Sequence, residues 1–123
     1  MNQQTEIPEI EILNVLNELA GKRFKPIKSN LKPISARLKE GYTVQELKEI
    51  VQVKTLEWKN NEVMNPHLCP TTLFRPSNAD KYLNQLLSIK ANPEKYARHF
   101  AELNKIKSSA ADNSDDLTAM YGD

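Results

Sequence analysis

Residues 41–87 read GYTVQELKEIVQVKTLEWKNNEVMNPHLCPTTLFRPSNADKYLNQLL, two helical patterns joined by a connection rich in asparagine and proline. Thr43 followed three residues later by Glu46 is the spacing of a capping box, in which each side chain satisfies the other residue's orphan amide. It predicts a helix that starts at Val44. On that helix Val44, Leu47, Ile50, Val51 and Trp58 fall on one side, the stripe of a core-facing segment. Lys48, Thr55 and Lys59 fall on a neighbouring face, so one helix is expected to carry a dry side and a basic side. Lys54 lies inside the apolar stripe, and its stem is expected to follow the core edge with the ammonium in water.

Upstream, Pro8 suits the first turn of a helix, where a missing N–H costs nothing. Ile12, Val15, Leu16 and Leu19 then recur at helical spacing until Gly21, a natural left-handed cap. The connection Lys22-Arg23-Phe24-Lys25-Pro26-Ile27-Lys28 interleaves an aromatic with cations. Phe24 either plugs the core while the lysines stay wet, or stacks a base while they hold a nucleic-acid backbone. Ser29 or Asn30 is expected to cap a second helix, with Pro33 in its first turn. Leu31, Ile34 and Leu38 form its apolar side, Lys28, Lys32 and Lys39 lie close together on another, and Gly41 ends it. The short turn into the Thr43-capped helix permits a helix-turn-helix, and is equally what any helical hairpin gives.

Downstream, Asn60-Asn61, Asn65-Pro66 and three prolines interrupt regular structure over residues 60–76, because a residue before proline is pushed away from helical angles. Thr71 or Thr72 is expected to start a single turn that carries Leu73 and Phe74 into the core. Ser77 or Asn78 then caps a helix with Tyr82, Leu83, Leu86 and Leu87 inside, and Asn92-Pro93 opens another with the stripe Tyr96, Phe100 and Leu103. The fold expected is all-α: a compact bundle of about five helices with the long proline-rich loop packed on it. Leu47, Val51, Trp58, Phe74 and Tyr82 are its expected core. A disordered leader (1–7), one helical domain (8–106) and a flexible acidic tail (107–123) complete the organisation.

With 123 residues, 39% of them hydrophobic and 27% charged, the chain suits one small domain. The net charge of +1 hides a segregation: residues 22–59 hold ten Lys or Arg against four Glu, and the residues after Lys107 hold four Asp and no base. A basic working surface and an acidic tail are one reading, scattered solvated faces the other. There is no apolar run of the roughly 20 residues that span a bilayer, and the polar start is unlike a signal peptide. A lone cysteine, Cys69, excludes an internal disulfide and agrees with a reducing cytoplasm.

His67 and Cys69, with His99 the only other histidine, are too few for a zinc site, which takes four ligands. Nothing orients a Cys-His nucleophile pair, and no glycine pair suits a phosphate loop. No catalytic residue, metal or cofactor is therefore expected, and no enzyme.

The order Gly41-Tyr42-Thr43, Glu57-Trp58, Met64, His67-Leu68, Pro70, Thr72-Leu73-Phe74-Arg75-Pro76 and Tyr82-Leu83-Asn84 resembles the conserved C-terminal domain of phage replisome organisers. Leu13-Asn14, Leu16-Asn17 and Gly21-Lys22-Arg23-Phe24 resemble its opening, so the likeness covers about residues 12–87. The resemblance implies a DNA-replication module at a phage or prophage origin, in the cytoplasm of a bacterial host, where the initiator recruits the replicative helicase or its loader. The winged-helix region usual upstream in that family is not in this sequence, which implies a fragment or a stand-alone relative.

The residues supply a matching mechanism. Lys22, Arg23, Lys25, Lys28, Lys32, Lys39, Lys48, Lys59 and Arg75 are candidate DNA contacts that displace counterions from phosphates. Exposure of Phe24 or Tyr42 would favour single strands. The alternative is a protein-protein adaptor, or an inhibitor of host proteins, that uses Val53 and Leu56 on the far side of the third helix and needs no DNA.

Overall fold

Four of the helices begin on a proline, whose fixed φ suits a first turn and whose missing N–H would have had no partner there. In chain order the elements are α1 (Pro8–Ala20), α2 (Lys28–Glu40), α3 (Val44–Trp58), a single 3-10 turn (Asn65–His67), α4 (Pro70–Leu73), α5 (Pro76–Lys90) and α6 (Pro93–Gly122). The structure, a computed structural model, describes the backbone of residues 7–122 and the side chains of residues 7–107. Among the described residues there is no strand, and the all-α expectation holds. Apart from Ile7 and Lys107, the expected leader and the side chains of the expected tail lie outside the described residues.

α3 is the centre. It starts where the capping box places it: the Glu46 N–H donates to the Thr43 hydroxyl at 3.0 Å and the Thr43 N–H donates to the Glu46 carboxylate at 2.9 Å. α1 and α5 pack along α3, and α4 and α6 also touch it. Leu47, Ile50 and Val51 are fully buried, as the stripe requires. Burial reaches further round than the stripe, because helices cover α3 on several sides. Val53 is 2% exposed and Thr55 0%, so Val53 cannot face a partner and Thr55 does not belong to a basic face.

Gly21 and Gly41 end α1 and α2 in the left-handed region, at φ 68° and 115°. Their N–H groups cap carbonyls of the preceding turn, Asn17 for Gly21 and Arg37 with Leu38 for Gly41. α2 opens at Lys28 without a side-chain cap. Asn30, expected as that cap, turns back and donates to the Lys25 carbonyl at 2.8 Å. Pro33 falls inside the helix, beyond the first turn. α5 likewise opens at Pro76, ahead of Ser77 and Asn78, and Asn78 instead donates to the Thr72 carbonyl at 2.8 Å.

The proline-rich connection lies on the core. Leu68, Leu73 and Phe74 are fully buried, and the expected single turn is α4, which starts at Pro70 rather than at Thr71 or Thr72. Arg37, 6% exposed, ties α2 to this segment by donating to the Phe74 carbonyl at 2.8 Å and pairing with Glu40 at 2.9 Å. Asn17 clamps the Phe24 backbone through two hydrogen bonds, 2.9 and 3.0 Å. Phe24 is thereby seated against the core, as is Tyr42.

On α6 the expected stripe divides. Asn92 caps the helix by accepting from the Lys95 N–H at 3.1 Å, and Leu103 is buried. Tyr96 and Phe100 are 40% and 51% exposed, their rings stacked at 6.3 Å. These two side chains line a cleft beside Gln45, Glu49, Gln52 and Lys90, where α3 and α5 present polar side chains. No helix among the described residues is long and apolar enough to cross a membrane.

Candidate nucleic-acid interface

Lys28, Lys32 and Lys39 stand at helical positions i, i+4 and i+11, within about 40° of one another around α2. With Ile7 and Glu9 at the start of α1, and Leu31 and Ser35 on α2, they line an open groove of about 420 Å³. Its floor is apolar, since Ile7 is 44% exposed there and Leu31 is only half-buried, and ammonium groups occupy its rim. None of the three lysines joins an ion pair among the described residues. Arg23 and Lys25 are exposed on the connection that leads into α2.

The other candidate cations are elsewhere or already engaged. Lys22 donates to the Asn65 side chain at 2.7 Å and to its carbonyl at 3.2 Å, which fastens the connection to the end of α1. Lys48 pairs closely with Glu11 of α1, so it serves the α1–α3 contact. Lys59 follows the last residue of α3 and lines a separate groove with Leu56, Asn60, Glu102, Lys105 and Ile106. Arg75 is exposed at the entry to α5. Of the nine candidates, the groove gathers Lys28, Lys32 and Lys39.

Lys54 departs furthest from expectation. It is 5% exposed, with its ammonium 4.4 Å from the centroid of both the Trp58 and the Tyr82 ring. Glu57 at 2.7 Å and Gln85 at 3.1 Å accept its hydrogen bonds, and Gln85 bonds closely to Glu57 in turn. The ammonium is therefore enclosed instead of wet. The negative faces of two rings and one carboxylate replace its water. The rings meet edge to face at 5.8 Å, and His67 lies edge-on to Trp58 at 6.4 Å. Burial raises the Tyr82 phenol above its ordinary value, Glu57 adds to the rise and Arg75 opposes it. Sequence reasoning missed this cage because half of it, Tyr82 and Gln85, comes from α5.

Leu56 is half-buried against the core. It also lines a groove of about 300 Å³ with Ile89, Lys95, Arg98, His99 and Glu102. His99 is held below its ordinary value by burial, with Glu49 opposing and Lys90 adding a smaller push down. At Cys69, burial works to raise the thiol, but hydrogen bonds with Thr72 and Thr71 outweigh it and leave the thiol lowered. Among the described residues no three His, Cys, Asp or Glu side chains converge as metal ligands would.

No curated protein and no solved structure matches the chain. A family model described as a conserved phage C-terminus matches residues 12–84, from the second turn of α1 into α5, and includes the α2 lysines, Arg37 and the whole Lys54 cage save Gln85. The chain therefore belongs to the conserved phage C-terminus family.

Proposed function

We propose that this domain is a non-enzymatic DNA-replication module of a phage or prophage, working in the host cytoplasm, whose α2 lysine groove holds a nucleic-acid backbone. The observation that carries the reading is the gathering of Lys28, Lys32 and Lys39 on one open rim, none of them in an ion pair among the described residues. Ammonium groups so placed replace condensed counterions on phosphates, which gives salt-sensitive affinity with little sequence preference. Arg23 and Lys25 extend the rim along the chain. Phe24 and Tyr42 are half-buried against the core, which limits the ring face they offer to a base, and single and double strands are both suitable partners.

A second reading, recruitment of a replicative helicase or its loader, is favoured by the groove that Leu56 shares with α5 and α6. It is compatible with the first, because the two grooves use different residues. As a pure adaptor the domain would use this groove and leave the lysines idle.

Fluorescence anisotropy with labelled single- and double-stranded oligonucleotides distinguishes them. Lys28→Glu with Lys32→Glu is expected to weaken binding at least about tenfold, whereas Lys48→Gln, which removes a cation already paired with Glu11, changes it little. Equal affinity in the wild type and the double variant removes the groove as the interface.

A further inference from the structure

We propose that the acidic C-terminal segment of one copy, residues 108–123, seats in the lysine groove of a second copy, so that the domain associates with itself through the same surface that takes nucleic acid. The self-association rests on the groove's charge and shape. Its competition with nucleic acid rests in addition on the function proposed above.

Charge complementarity is the first argument. The groove offers Lys28, Lys32 and Lys39 against Glu9 alone, while the segment holds Asp112, Asp115, Asp116 and Asp123 with no basic residue. Asp112 and Asp116 are separated by four residues, as are Lys28 and Lys32, so on facing helices the two pairs share one repeat of about 6 Å. Apolar matter is the second. Leu117, Met120 and Tyr121 follow the aspartates at i, i+3 and i+4 spacing, the pattern of a helix that lays one face into a groove. The groove's exposed Ile7 and half-buried Leu31 are what that face would cover.

The course of α6 selects a second copy as the acceptor. α6 packs on α1, α3 and α5, and Leu103 and Ile106 are its last described side chains against the core. Its bounds run on to Gly122. A straight helix over those 15 residues reaches about 22 Å past Lys107, length enough to meet a neighbour's groove.

Sedimentation velocity on the full chain, without nucleic acid, tests the inference. The wild type is expected to associate more as concentration rises at low salt, and to dissociate as salt screens the charges. Lys28→Glu with Lys32→Glu reverses the groove, and Asp112→Lys with Asp116→Lys reverses the segment. Each variant alone, with wild-type helicity, is expected to associate at least about tenfold more weakly, and an equimolar mixture of the two is expected to recover association because each now complements the other. A wild type that stays monomeric at low salt overturns the inference, as does association that survives either reversal or fails to return on mixing. Nucleic-acid affinity, measured separately on the same variants, reports on the proposed function independently.

Discussion

Replacing Lys54 probes the packing on which the α3–α5 interface depends. The ammonium lies 4.4 Å from two ring centroids and bonds to Glu57 and Gln85. At a desolvated site each cation–π contact is worth about 1–2 kcal/mol, and a hydrogen bond to a charged group about 1.5–3 kcal/mol. Against these stands the cost of taking an ammonium out of water, several kcal/mol, so the net contribution of the charge is small. Truncation adds other losses. Lys54→Ala opens a void between the Trp58 and Tyr82 rings and strips Glu57 of its ammonium partner, although Glu57 keeps its bond from Gln85 and its side chain, 40% exposed, recovers water. We expect a loss of about 2–3 kcal/mol for Lys54→Ala, and about 1–2 kcal/mol for Lys54→Met, which refills the space between the rings. In a domain of this size 1 kcal/mol moves Tm by roughly 3–5 °C. Urea unfolding followed by far-UV circular dichroism and by fluorescence of Trp58, the single tryptophan, measures both variants. A loss under about 0.5 kcal/mol for Lys54→Ala would refute the reasoning and return Lys54 to the solvent edge.

Arg37→Met leaves the buried Phe74 carbonyl without its donor and is expected to cost about 2–4 kcal/mol. Hydrogen exchange should show α4 and the preceding connection opening first, and protection equal to the wild type would mean that Arg37 is dispensable. For His99 the folded-state value lies below the ordinary 6.5, so below pH 6.5 the unfolded chain binds more protons. Stability should hence fall as pH drops from 6.5 through the folded-state value and be unaffected by this residue above 6.5. Unfolding midpoints across that window test it, and His99→Gln should flatten the decline.

Much of this fold is legible in the chain because local signals agree with the packing. The capping box at Thr43, the left-handed glycines and the stripes of α1 and α3 each have a mechanism that acts within a few residues. What failed needed knowledge of neighbours. Periodicity marks one apolar side of α3, whereas α1, α5 and α6 enclose it on several, so Val53 and Thr55 are buried without any sequence signal of their own, and Lys54, though inside the stripe, gives no local sign that its ammonium is enclosed too. Where two capping options competed at α5, Pro76 took the first helical position and left Ser77 and Asn78 inside. Tyr96 and Phe100 carry the spacing of a core stripe, but they lie beside Gln45, Glu49, Gln52 and Lys90, polar neighbours that no local pattern announces.

The basic face was half legible. Lys28, Lys32 and Lys39 share a helix, so their grouping follows from residue spacing, and the structure adds the apolar floor from α1. Lys22 and Lys48 gave no hint of their partners, since Asn65 and Glu11 lie 43 and 37 residues away. That distance is why charge counting over residues 22–59 overstated the surface available to a polyanion.

The most direct measurement of the central claim is the salt dependence of oligonucleotide binding. If three groove lysines each displace a counterion from a single strand, log K falls against log salt with a slope near −2, at about 0.7 per phosphate neutralised. Removing one lysine by Lys32→Ala should reduce the slope by about 0.7. A slope that Lys28→Ala, Lys32→Ala and Lys39→Ala all leave unchanged, or no affinity at low salt, would contradict the assignment of the α2 groove to nucleic acid.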